Sequence, residues 1–198
     1  MSDVMTQLSQ TNLLRTPDQV LGPFYPIVQK AEAGGDLTRI SGRPGRAHGL
    51  VLNLMGRVLT SAGIPVRGAR IEIWQANAHG RYRHPNDTST TPLDPNFGGF
   101  AVLTTDHEGR YSLKTIKPAA YSVAPGRVRP AHIHFEVLGH TEKLTTQMYF
   151  PDDPHNATDL LRNSTTRPDA LNARVLDGTS DVEAGSKIVL FDIILAGG

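Results

Sequence analysis

The sequence predicts a mainly β fold with long loops and little helix. Apolar residues recur in short runs, several with period two, and Gly and Pro punctuate them. Little of the chain sustains the 3.6-residue period of an amphipathic helix. Residues 1–15 are polar and are expected to form a flexible N-terminal segment, with residues 16–198 forming a single domain. Thr16-Pro17-Asp18-Gln19 and Gly22-Pro23-Phe24-Tyr25-Pro26 read as an extended, turn-rich arm. Residues 30–48 read as a loop rich in Gly and Arg.

The strands follow in order. Residues 50–60 and 66–75 are apolar runs around Ser61-Ala62-Gly63-Ile64-Pro65, which reads as a hairpin or a sheet-changing turn. In the second run Ile71 and Ile73 share one face, and Glu72 and Trp74 the other. Residues 76–99 form a long excursion holding Tyr82 and the turn string from Pro92 to Gly99; excursions of this length are usually functional or disordered. Further strands are expected at 100–105, 111–115, 132–138, 144–150 and 187–195, with a turn at Asp106-His107-Glu108-Gly109. A second excursion, residues 152–174, is expected to hold one short helix near 158–162.

Composition narrows the function. The 198 residues carry 20 Lys+Arg against 19 Asp+Glu, a formal net charge of +1, and no basic run that would track a phosphate backbone, so nucleic acid is not an expected partner. No stretch approaches the ~18 apolar residues of a membrane span. The opening residues lack the basic and apolar regions of a signal peptide, which makes a cytoplasmic protein the expectation. With no cysteine, disulfides, iron–sulfur clusters and thiol nucleophiles are excluded, and any metal must use His, Asp, Glu or Tyr.

The segment Arg129-Pro130-Ala131-His132-Ile133-His134-Phe135 sets two imidazoles one residue apart in an apolar strand. Residues i and i+2 of a strand point to one face, so both rings can reach one atom. The same pair could be two hydrogen-bonded strand histidines. Tyr82 and Tyr121 lie upstream in Gly/Pro-marked segments, and two phenolates with two imidazoles suit a hard trivalent ion such as ferric iron. A 2-His-1-carboxylate iron site is the alternative, with Asp94, Glu72 or Glu136 as third ligand.

An ordered series of motifs resembles the intradiol ring-cleavage dioxygenases, most closely the protocatechuate 3,4-dioxygenase β chain. The matching segments are Thr16-Pro17 with Gly22-Pro23-Phe24, Gly68-Ala69 with Glu72 to Ala76, Gly80-Arg81-Tyr82-Arg83-His84, Asp94-Pro95-Asn96-Phe97, Gly109-Arg110-Tyr111 with Thr115 to Pro118, Tyr121, Arg129 to Phe135, and Leu144 to Tyr149. The resemblance implies a β-sandwich core and a non-haem Fe(III) held by Tyr82, Tyr121, His132 and His134. It makes Tyr121 the axial tyrosinate that leaves the metal when substrate binds, and His134 the opposite axial ligand. Arg129 and Gln147 match positions behind the ligands, with Arg129 placing its charge against the substrate ring; the plainer readings are an ion pair and a backbone-bonded strand residue.

The chemistry accounts for the residue types. Holding a tyrosine of ordinary pKa near 10 as phenolate at pH 7 costs about 4 kcal/mol, which a trivalent ion offsets. A catechol giving up both protons could then bind as a dianion and be cleaved by O2 between its hydroxyls to a cis,cis-muconate. The resemblance favours a protocatechuate-like substrate, with catechol or hydroxyquinol 1,2-cleavage as the alternative. It also implies either a homo-oligomer or a hetero-oligomer with a related α-type chain, because the helical N-terminal domain of the catechol and hydroxyquinol enzymes has no counterpart in residues 1–15. The segment between Tyr121 and Arg129 looks shorter than in the protocatechuate enzymes, and Val123 stands where an aromatic wall residue is expected. Arg127, Arg83 and His84 are candidates for reading an anionic substituent. Tyr25, Tyr111 and Tyr149 read as core or pocket-wall residues and Trp74 as core packing. Two rivals remain at this level: a non-catalytic β-sandwich binding module, and a ferrous extradiol-type oxygenase.

Overall fold

A computed structural model describes residues 12–27 and 35–197. Two sheets face one another. In the first, the long strand β1 (Val51–Thr60) is central, flanked antiparallel by β4 (Arg110–Ile116). On its other side β1 runs parallel to β10 (Lys187–Leu190) and then to β11 (Ile193–Leu195), while β9 (Arg174–Asp177) closes the edge beside β10. The second sheet has the order β3 (Phe100–Thr104), β2 (Arg70–Trp74), β7 (His132–Leu138), β8 (Lys143–Tyr149), all antiparallel. A separate hairpin joins β5 (Tyr121–Ala124) to β6 (Arg127–Arg129).

Period-two alternation builds the interior. Leu52, Leu54, Leu113, Val189 and Ile193 of the first sheet meet Ile71, Ile73, Ile133, Phe135, Val137, Leu144 and Met148 of the second in one buried cluster. Because Ile133, Phe135 and Val137 take the inner face of β7, His132 and His134 are forced onto the outer one. The turn after β1 changes sheets: β1 lies in the first sheet and β2 in the second.

Sheet edges are covered by the arm. Gln19 N donates to Thr145 O at 2.8 Å, Gln147 Nε2 to Val20 O at 2.8 Å, and Thr16 and Ile194 exchange bonds of 2.9 Å. Of the N-terminal segment expected to be flexible, residues 1–11 lie outside the described residues; Leu13 N donates to Ser61 O and Arg15 pairs with Asp18 and Glu142. Residues 30–34 of the expected Gly/Arg loop also lie outside them.

Three expectations need correction. The run 187–195 is two strands, broken where the Asp192 carboxylate accepts Arg57 N at 2.8 Å in place of a ladder carbonyl. The excursion after β8 forms three short 3-10 turns (Asn156–Thr158, Arg162–Ser164, Pro168–Leu171) instead of a helix near 158–162. Asp159 is extended there, which interrupts the helix, and its carboxylate takes the Arg162 N–H at the start of the next turn. Strands β5, β6 and β9 were not expected. Pro125-Gly126, with Gly126 at φ +71, is the turn signal between β5 and β6.

Candidate metal centre and active site

The outer face of the second sheet carries the site. Cross-strand registry places Trp74 beside His134 on one side, and Tyr149 opposite His132 and Gln147 opposite His134 on the other. Trp74 stacks on the His134 ring at 4.8 Å and 13°. From the arm, Tyr25 packs edge-on against Trp74, and Phe24 stacks on Tyr82 at 4.6 Å.

Tyr82 arrives from the long excursion, which is folded by side chains and not by strands. Asn77 Oδ1 accepts His79 N and Arg81 N, and Asp87 Oδ2 accepts Tyr82 N at 2.7 Å. Gly80, at φ +75, lets this loop lie against the start of β5, since a Cβ there would meet Ala120 O at 2.8 Å and Tyr121 Cβ at 3.0 Å.

Three donor atoms converge. Tyr82 Oη lies 3.4 Å from His132 Nε2 and 3.1 Å from His134 Nε2, and the two imidazole nitrogens are 3.2 Å apart. Ligands about 2.1 Å from a common ion at right angles or wider are separated by about 3 Å or more, so this triangle has the size of a coordination face. Tyr121 completes the cluster, its ring 5.6 Å from both Tyr82 and His132. The structure thus brings together all four residues singled out as metal ligands.

The electrostatics suit a cation. Burial, reinforced by the Arg129 charge, lowers the His132 pKa to about 3, and burial with His132 and Arg129 holds His134 well below its ordinary value, so both rings are neutral. His132 Nδ1 lies 2.6 Å from Pro130 O; the proton sits on that nitrogen and leaves Nε2 as a lone-pair donor. Burial raises both phenols, Tyr82 well above 10, with each phenol influencing the other. Two phenols that ionise only beside a strong positive charge, facing two neutral imidazoles, fit a small ion of high charge.

The carboxylates proposed as third ligands are occupied elsewhere. Asp94 accepts His48 N and Asn96 N, Glu72 binds Tyr25 and Arg70, and Glu136 pairs with Lys143 and Thr145. Among the described residues no group of three His, Cys, Asp or Glu could hold a metal ion, which removes the 2-His-1-carboxylate alternative.

Behind the donors lies a buried polar network. Arg129 Nη2 donates to Gln147 Oε1 at 2.7 Å and to Tyr149 Oη at 2.9 Å, Tyr149 Oη donates to Gln147 Oε1 at 2.8 Å, and Arg129 Nε donates to Asp159 Oδ2 at 2.7 Å. Burial opposes the Arg129 charge, but Tyr149, Asp159 and Tyr121 outweigh it and its pKa rises. Sequence reasoning found Arg129 and Gln147 but placed Tyr149 only in the core or wall. The alternation Gln147, Tyr149 on β8 was the available signal. Asp159 had none.

A cavity of about 1100 Å³ opens beside this cluster, bounded by the Asn86–Thr91 segment, the β5–β6 hairpin and the Thr158–Leu161 turn. Of the four converging donors Tyr121 alone lines it; Arg129, Arg127 and the half-exposed Val123 do as well. Arg83 and His84 border a separate cavity of about 890 Å³.

Residues 20–197 match the family model described as Dioxygenase. The chain is 42% identical to the protocatechuate 3,4-dioxygenase beta chain of Burkholderia cepacia, covering 88% of this chain and 77% of the relative. It is 34% identical to the hydroxyquinol 1,2-dioxygenase of Rhizobium sp. (strain MTP-10005), over 71% of this chain but about half, 49%, of that relative's length. Among solved structures, the dioxygenase domain of a dioxygenase and carbohydrate-binding protein fusion from Streptomyces sp. SirexAA-E superposes with a TM-score of 0.67 at 29% identity, covering 93% of this chain and 99% of that one. The chain belongs to the intradiol ring-cleavage dioxygenases and is an oxidoreductase. No helix among the described residues is long and apolar enough to cross a membrane.

Proposed function

We propose that Tyr82, Tyr121, His132 and His134 hold a non-haem Fe(III), and that the enzyme cleaves a protocatechuate-like catechol between its hydroxyl-bearing carbons to a cis,cis-muconate. The single observation that carries the assignment is the convergence of two phenols and two neutral imidazoles within a buried cluster that has no carboxylate. Bound there, the ferric ion supplies the Lewis acidity that makes both catechol protons easy to remove.

The chain's own groups divide the rest of the work. Tyr121 lines the cavity that Arg129 also borders and takes one catechol proton, whereas Tyr82, only 3% exposed and bordering the other cavity beside Arg83, stays in place. Arg129 keeps its Nη1 hydrogens free of protein partners among the described residues, available to negative charge developing on the ring. Gln147 holds Arg129 from behind, with its own Nε2 anchored on Val20 O. Arg127, on the cavity wall, is the group suited to a substrate carboxylate; Arg83 and His84 are drawn away from that role by their position at the other cavity. Assembly as a homo-oligomer or with a related α-type chain is part of this reading, and the Burkholderia relative is named as a β chain.

Oxygen uptake by purified protein with catechol, protocatechuate and hydroxyquinol, with products identified, tests the proposal together with iron content. Ferric iron near one per chain, a tyrosinate-to-iron charge-transfer colour and fastest turnover of protocatechuate are expected. Iron-free, colourless protein from iron-replete cells refutes the metal assignment. Preference for catechol or hydroxyquinol refutes the substrate assignment alone.

A further inference from the structure

The excursion after β8 sends one carboxylate back into the site. Asp159 is buried, its side chain 1% exposed, and each of its oxygens has one duty: Oδ2 accepts Arg129 Nε at 2.7 Å and Oδ1 accepts the backbone N of Arg162 at 2.6 Å. Arg129 has five N–H groups. Nε is spent on Asp159 and Nη2 on Gln147 and Tyr149, which leaves the Nη1 pair without a protein partner among the described residues, on a side chain that lines the cavity.

A carboxylate that served only to neutralise a buried guanidinium gains most from a two-pronged fork. Asp159 instead meets Arg129 with one oxygen, at Nε, and spends the other on the main chain. With the Nε and Nη2 edges both fixed, rotation of the guanidinium about either is blocked and the Nη1 edge has one direction left. Asp159 also stands within the segment Thr158 to Leu161 that forms one wall of the same cavity. We propose that Asp159 is a positioning residue: it aims Arg129 at the substrate and ties that aim to the wall against which the substrate rests. The inference builds on the role assigned to Arg129 above.

An amide at position 159 supplies one acceptor where two N–H groups need one each, so either Arg129 Nε or Arg162 N loses its partner. A misplacement of about 1 Å at a catalytic group can cost about a hundredfold in rate. The test compares the parent enzyme, D159N, R129A and the double variant for iron content, charge-transfer absorption, kcat and KM, with crystal structures of the parent and D159N. Expected are parental iron and colour in D159N, a fall in kcat of at least about tenfold with KM changed less than about threefold, and a rotated guanidinium. On the R129A background D159N should cost less than about twofold, because the residue then has nothing left to aim.

A D159N enzyme within twofold of the parent, or the same loss on both backgrounds, overturns the proposal. An unmoved guanidinium overturns it whatever the metal content, whereas a colourless parent refutes the ferric reading and not the aiming of Arg129. If D159N does not fold, D159E is judged by the same criteria: lower kcat at parental iron content supports the role, and parental kcat overturns it.

Discussion

Replacing Gly80 by Ala tests how the Tyr82 loop is joined to the strand that carries Tyr121. At φ +75 an Ala pays about 1–2 kcal/mol for the left-handed backbone conformation. Its Cβ would also stand 2.8 Å from Ala120 O and 3.0 Å from Tyr121 Cβ, overlaps with main chain and a strand residue that no side-chain rotation relieves, adding about 1–3 kcal/mol. Gly63 is the control, with φ +78 and nothing within 4 Å, so G63A carries the backbone cost alone. A 198-residue chain has an unfolding entropy of about 0.4 kcal/mol/K, so G80A should lower Tm by about 5–12 °C and G63A by about 2–5 °C. Thermal unfolding, paired with iron content and charge-transfer absorbance, is the assay. G80A should also hold iron more weakly, because relief of the overlap moves the two phenols apart. A G80A protein with the Tm of G63A and full iron content refutes this account of the loop.

Other predictions follow from the packing and the charges. Ile133→Ala removes a fully buried side chain between the two histidines; a loss of about 2–5 kcal/mol should lower Tm by about 5–12 °C, while iron per folded chain stays at the parental level. Replacing Arg127 by Gln should raise the ratio of KM for protocatechuate to KM for catechol by about two- to fivefold, as suits an exposed charge pair, and an unchanged ratio removes Arg127 from substrate recognition. The Glu183 carboxyl, bonded to Arg46 and then Lys114, is held down at about 2 against an ordinary 4.5. Its folded value lies below the unfolded one, so its stabilisation is complete above about pH 4.5 and fades as pH falls toward 2. The Tm gap between parent and E183Q should therefore be small, salt-sensitive, and close across that window; a gap that widens with acid contradicts the assignment.

The histidine pair was legible from its strand pattern, whereas Tyr82 and Tyr121 were singled out by residue type and by the ordered series of motifs around them. Alternation on β7 fixed the shared face of His132 and His134, and the same alternation on β8 carried Gln147 and Tyr149 to them through registry. The helix expected near 158–162 is interrupted at Asp159, whose extended backbone ends one 3-10 turn and whose carboxylate takes the Arg162 N–H at the start of the next. The break at Phe191-Asp192 was hidden in a similar way, since an apolar run looks continuous until a side chain replaces a ladder carbonyl.

The sequence by itself determined a mainly β chain without thiol chemistry, the outward face of the histidine pair, and the four residues that converge as donors. The chain's β character and the histidine pair depend on residue type and on a period of two, both local properties, and the two tyrosines on residue type and the ordered motif series. Only the tertiary structure decided that Asp94, Glu72 and Glu136 are engaged elsewhere, that Tyr121 and Tyr82 border different cavities, as do Arg127 and Arg83, and that Asp159 reaches Arg129. The places of Asp94, Tyr82, Arg83 and Asp159 depend on where an irregular excursion comes to rest, and those of Glu72, Glu136, Tyr121 and Arg127 on which strands become neighbours. The paths of the two excursions are set by side-chain bonds from Asn77, Asp87 and Asp159 that no repeat in the sequence announces.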